Sequence, residues 1–183
     1  MPNWCLNSAT FTASKEDFQK FRSLMSSGLS FEKISPTPEE LMGHSVPIQD
    51  KELAQTFLQK YGETDWYNWR VKNWGTKWDL DAAEFLGLNP NWKELTDEST
   101  EVTVSFDTAW APPLEALKTL TTLFPSMMID LKYFEGGMAF AGEAQFEDGC
   151  CSNLEYDHGS SGYNSLAEFF GMISEEDDAE VMA

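Results

Sequence analysis

The sequence predicts an α+β fold, an antiparallel sheet with helices on one face, and three observations lead there. Apolar and polar residues alternate in several separate stretches, apolar residues recur at helical spacing between them, and a short glycine connection joins the last two alternating runs. With 183 residues, 42% of them hydrophobic and 14% aromatic, the chain can bury a substantial core. That content separates it from chains too polar and charged to fold, despite a net charge of −19.

The elements follow in order. Leu6, Ala9 and Phe11, in a Thr-rich setting, mark a first strand, and Ser14 caps a helix with Glu16 and Asp17 in its first turn. Phe18, Phe21, Leu24 and Met25 give that helix an apolar face, and Gly28 stops it. Phe31 to Ile34 reads as a short extended piece before Pro36 and Pro38. Asp50 caps a second helix whose face is Leu53, Ala54, Phe57, Leu58 and Tyr61, ended by Gly62. In the aromatic block that follows, Trp74, Thr76 and Trp78 alternate with Gly75, Lys77 and Asp79, the periodicity of a strand. Asp81 to Leu86 has the length of one or two helical turns, and Asn89-Pro90-Asn91 is a loop.

From Glu101 the alternation is regular: Val102, Val104 and Phe106 against Thr103, Ser105 and Asp107. Pro112-Pro113 opens a helix with Leu114, Leu117, Leu120, Thr121 and Phe124 on one face, and Pro125 closes it. Met127 to Phe134 and Met138 to Phe146 form a hairpin through Glu135-Gly136-Gly137. In its second strand Met138, Phe140, Ala144 and Phe146 oppose Ala141, Glu143, Gln145 and Glu147. This order of strands and helices is that of a ferredoxin-like sandwich over residues 1–147, interrupted by a helical insertion at about 36–70. Residues 148–173 read as an acidic extension with a short helix, and 174–183 as an acidic tail.

Charge is distributed unevenly. From Asp130 onward thirteen acidic residues face one base, Lys132, which makes that stretch a surface with a preference among partners. Duplex DNA and anionic lipid are repelled by it, and basic protein surfaces complement it. No apolar run approaches the roughly 20 residues that span a bilayer, and the start lacks the pattern of a secretory signal, so a cytoplasmic location is expected. Three cysteines, two of them adjacent (Cys150 and Cys151), fit a reducing compartment.

Chemistry-bearing motifs are scarce. Cys150, Cys151 and His158 lack the spacing of zinc ligands, and no fourth ligand is evident. Asp157, His158 and Ser160 include the residue types of a catalytic triad but sit in a glycine-serine turn, too close in sequence for triad geometry. No phosphate-cradling glycine loop precedes a helix. A non-enzymatic protein without metal or cofactor is expected.

Four strings, Met1-Pro2-Asn3-Trp4-Cys5, Asn73-Trp74-Gly75-Thr76-Lys77-Trp78-Asp79, Phe106-Asp107-Thr108-Ala109-Trp110-Ala111-Pro112-Pro113 and the hairpin from Tyr133-Phe134-Glu135 through Phe140-Ala141-Gly142, carry a resemblance. Together they resemble the YubB-type, Api-like proteins with a ferredoxin-like domain. The resemblance spans most of residues 1–147 and implies a phage or plasmid setting, with no catalytic residues to carry over. The functional expectation is an anti-defence inhibitor that mimics nucleic acid and binds a basic surface of a host nucleic-acid-processing or defence enzyme. Glu143, Glu147, Asp148, Glu155 and Asp157 are its candidate partner-binding residues. The alternative is a single-stranded nucleic-acid module that stacks bases on Trp66 and Trp69, with Arg70 and Lys77 on the phosphates.

Overall fold

The computed structural model describes residues 3–80 and 96–172. The expected helical turns at Asp81 to Leu86, the loop at Asn89-Pro90-Asn91 and the tail from residue 174 lie outside them.

Five strands form one sheet: β1 (Trp4–Thr12), β2 (Glu101–Ala109), β3 (Met128–Glu135), β4 (Phe140–Glu147) and β5 (Cys150–Tyr156), in the order β2-β1-β3-β4-β5 with every neighbouring pair antiparallel. Since β2 and β3 both run against β1, they are parallel to each other across it. The helix that joins them makes the split β-α-β unit of ferredoxin-like folds.

Among the described residues six helices accompany the sheet: α1 (Lys15–Leu24), α2 (Phe31–Ile34), α3 (Lys51–Tyr61), α4 (Trp66–Trp74), α5 (Leu114–Leu123) and α6 (Ser161–Phe169), with a 3-10 turn at Glu39–Leu41. The alternation in the strands decides what α1 and α5 cover. Cys5, Ala9 and Phe11, Val102, Val104 and Phe106, Ile129, Leu131 and Tyr133, and Ala144 and Phe146 are buried on one side of the sheet. Phe18 and Phe21 of α1 and Leu117 and Leu120 of α5 complete that layer, with Phe21 stacked on Phe11 at 5.2 Å and edge-on to Phe124 at 5.9 Å. Burying side chains of this size yields roughly 1.5–3 kcal/mol each, before chain entropy is counted. Phe31, Ile34, Leu41, Phe57, Trp69 and Trp74 belong to the same cluster, so α2, the 3-10 turn, α3 and α4 extend this core.

Two segments expected to be extended are not. Phe31–Ile34 is α2, whose start is fixed by Asp79: its carboxylate accepts from the Ser30 hydroxyl at 2.6 Å and the Phe31 amide at 2.5 Å. The Trp74, Thr76, Trp78 alternation is also no strand. Asp65 caps α4, accepting from the Asn68 amide at 2.9 Å, and the helix runs to Trp74, where Gly75 at φ +88 ends it. Trp74 is fully buried against Phe31, while Trp78 lies across Trp4 at 6.2 Å, so the apparent period joins a helix end to a bend.

The extension after Glu147 adds β5 and α6. Ser160 caps α6, its hydroxyl accepting from the Tyr163 amide at 3.2 Å. α6 packs on the face of the sheet opposite α1 and α5, where Tyr163, Leu166 and Ala167 form a second small cluster with Phe134 and Ala141. Helices thus lie on both faces, and no other described helix packs on the second face. There Thr10 and Thr103 share a hydroxyl hydrogen bond at 2.8 Å, and Gln145 donates to Asp130 at 2.9 Å. Among the described residues no helix is long and apolar enough to cross a membrane.

Candidate protein-binding surface

The five acids singled out by the sequence gather around one edge of the sheet, not on one face. Antiparallel register sets this. Glu143 lies opposite Leu154 on the second face, and Glu147 points to the same side of β4, whereas Glu155 pairs with Gly142 and points toward the helix layer. Asp148 occupies the β4–β5 turn at φ +50, and Asp157 follows β5 directly. At about 3.3 Å per residue, Asp148 and Glu155 stand roughly 20 Å apart along the edge.

Their engagement differs. Glu143 is tied down: the Tyr156 hydroxyl donates to it at 3.0 Å, and Lys132 lies 3.8 Å away. This carboxylate in turn raises the Tyr156 hydroxyl above its ordinary value. Glu147, Asp148, Glu155 and Asp157 have no ion pair or side-chain hydrogen bond to another described residue. Another acid of the C-terminal stretch, Glu135, is spent internally. It is buried and accepts from the Gly137 amide at 2.8 Å and from the Met138 amide, which holds the β3–β4 hairpin. Glu115, which the sequence reading passed over, joins Glu155 in a depression near the start of α5. The signal for it was the Pro112-Pro113 helix start, which places Glu115 in the first turn.

The aromatic, basic segment is largely used inside the fold. Trp69 is buried, and Arg70 is sandwiched 5.4 Å from the Trp66 ring and 4.6 Å from the Trp74 ring. Its guanidinium also bonds Glu32 at 2.6 Å and keeps only 12% of its side chain exposed. The Trp66 indole N–H donates to the His44 carbonyl, and Lys77 covers Tyr67 and Trp78 at 5.6 and 4.7 Å. α4 therefore does not present Trp69 and Arg70 together to a ligand. Among the described residues Trp4, Trp78 and Trp110 are the exposed tryptophans.

The remaining candidates are separated by the fold. Cys150 and Cys151 are successive residues of β5 and so point to opposite sides, while His158 packs edge-on to Tyr163 at 5.0 Å. Among the described residues no group of three or more His, Cys, Asp or Glu side chains is placed to hold a metal ion. Ser160 serves as the α6 cap. Cys5 is buried beneath the sheet, and burial pushes its thiol up to about 12.

Residues 91–179, just under half of the chain, match the family model described as the ferredoxin-like domain in Api92-like protein. The match runs through β5 and α6, past Glu147 where the resemblance read from the sequence stops. It supports an Api-like relationship for this segment together with its ferredoxin-like fold. A crystal structure of a protein api92 from Yersinia pseudotuberculosis aligns with a TM-score of 0.48 at 10% identity, covering 87% of this chain and 100% of that one. No curated protein matches the chain.

Proposed function

We propose that the protein is a non-enzymatic inhibitor that binds the basic, nucleic-acid-binding surface of another protein in place of the nucleic acid. The observation that carries this reading is the charge of the β3-to-α6 unit: eight carboxylates between residues 128 and 172 face a single amine, Lys132. One of the eight, Glu135, is buried, and four of the others rim the β5 edge without a basic partner among the described residues. The roughly 20 Å between Asp148 and Glu155 is close to six base-pair rises of a duplex at about 3.4 Å of axis each. The Api-like match and the resemblance to proteins of phages and plasmids extend the proposal to a host nucleic-acid-processing or defence enzyme as the partner.

Charge of this kind steers encounter and selects partners more than it adds affinity, and it acts within about 8 Å at physiological salt. The test is affinity capture from host lysate at low and raised salt, with and without competing DNA. It is repeated with the variant Glu147→Gln, Asp148→Asn, Glu155→Gln, Asp157→Asn. Capture of one nucleic-acid-binding protein, displaced by DNA and lost in the variant, is the expected result. A partner held equally by parent and variant, with no dependence on salt, refutes it.

A further inference from the structure

Trp110 is held in an unfavourable backbone conformation that leaves its ring in solvent. Its φ is +72 and the residue is 45% exposed. A left-handed backbone is disfavoured for any residue but glycine, so something must fix it there. Hydrogen bonds on both sides do so. The Trp110 amide donates to the Asn3 carbonyl at 3.0 Å, and Thr108 Oγ1 donates to the Ala111 carbonyl at 2.8 Å. Buried Asn7 donates to Thr108 Oγ1 at 2.9 Å, and buried Thr76 donates to the Ala109 carbonyl at 2.8 Å. A buried polar network is thus arranged around a loop whose exposed product is an indole.

The indole walls a depression of about 380 Å³ between the start of α5 and the ends of β3, β4 and β5. Pro112, Tyr133 and Phe140 give it an apolar lining, and Glu115 and Glu155 supply two carboxylates. Lys118 reaches Glu115 only at 3.6 Å on an exposed surface, which leaves the charge weakly compensated. A flat apolar wall with carboxylates beside it suits a planar, delocalised cation better than a compact, strongly hydrated ammonium. The chain already contains that arrangement once, where Arg70 lies 4.6 Å from the Trp74 ring and bonds Glu32 at 2.6 Å.

We propose that this groove is an arginine-binding subsite, in which a guanidinium from a basic protein partner stacks on Trp110 and is held by Glu115 and Glu155. The proposal rests on the reading that the protein engages a basic protein surface, and it names the side chain that anchors the contact.

The test is a titration of the full chain followed by NMR, with N-acetyl-arginine methylamide as probe and the corresponding lysine and citrulline compounds as comparisons. Arginine is expected to shift the Trp110 indole N–H and the Glu155 amide saturably at millimolar concentration, and neutral citrulline is expected to leave them in place. The pair Glu115→Gln, Glu155→Gln should weaken the response about fivefold, the equivalent of about 1 kcal/mol. Trp110→Asn, a residue that tolerates the same backbone region, should abolish saturation while the protein stays folded. Absence of a saturable arginine response overturns the proposal, as does an equal response to citrulline or lysine, or one unchanged in the Gln pair. If arginine fails while DNA-displaceable capture persists, the groove is wrong and the mimic reading stands. If arginine saturates while capture fails, the mimic reading falls and the subsite remains.

Discussion

Replacing Gly75 by alanine should destabilise the protein by about 2–4 kcal/mol, and the parts of that figure can be separated. Gly75 ends α4 at φ +88, and a Cβ there meets the Pro112 carbonyl oxygen at 2.8 Å and the Leu114 amide nitrogen at 3.0 Å. The left-handed conformation accounts for about 1–2 kcal/mol, partly offset by a loss of unfolded-state freedom of about 0.4–1 kcal/mol. The overlap is with backbone that cannot move freely, since Thr108 fixes the Ala111 carbonyl and Thr76 fixes the Ala109 carbonyl. Overpacking against a fixed neighbour adds about 1–3 kcal/mol. Gly43→Ala is the matched control: φ is +81 there, but nothing lies within 4 Å of its Cβ. Urea unfolding followed by tryptophan fluorescence gives both values, and a change of 2–4 kcal/mol corresponds to roughly 5–15 °C in Tm for a domain of this size. Gly75→Ala should exceed Gly43→Ala by at least about 1 kcal/mol. If the two agree within about 0.5 kcal/mol, the seat of α4 against the Trp110-Pro112 loop is not as described.

Glu135→Ala should cost about 2–4 kcal/mol, because it removes charge-assisted hydrogen bonds to the Gly137 and Met138 amides at a buried hairpin; urea unfolding measures it, and a change under 1 kcal/mol refutes the capping role. Arg70→Met should cost about 2–3 kcal/mol by leaving the partly buried Glu32 carboxylate without its cation, and an unchanged urea midpoint would show that pair to be idle. A thiol reagent should label Cys150 and Cys151 in the native protein and reach Cys5 only on unfolding, as the buried thiol is both inaccessible and held protonated. Alkali should weaken the fold through the same burial. Cys5 and Tyr133 rise from ordinary values of 9.0 and 10.0 to about 12 each, so the unfolded chain loses protons first. Their contribution is complete below about pH 9 and declines as the pH rises toward 12; a urea midpoint flat between pH 8 and 11 contradicts it.

Much of the sheet was readable from local pattern. β1 and β2, and β3 and β4 away from the part that α6 covers, bury one side more than the other, so their side chains alternate, and the caps Ser14 and Asp50 stand where a side-chain oxygen can serve the first amides of α1 and α3. The same reasoning explains the failures. β5 is an edge strand with six of its seven residues exposed, so no contrast between its faces is written in its side chains. The Trp74 to Trp78 period misled because tertiary contacts, and not strand pairing, bury Trp74.

The sequence alone determined the α+β class, the charge of the C-terminal stretch and the residue types available for binding, since periodicity and charge are properties of consecutive residues. Only the tertiary structure decided that the acids ring an edge, that Arg70 is enclosed while Trp110 is presented, and that Glu115 and Glu155 line one depression. These depend on strand order, register and which face each helix covers, and those are set by contacts between residues far apart in the chain.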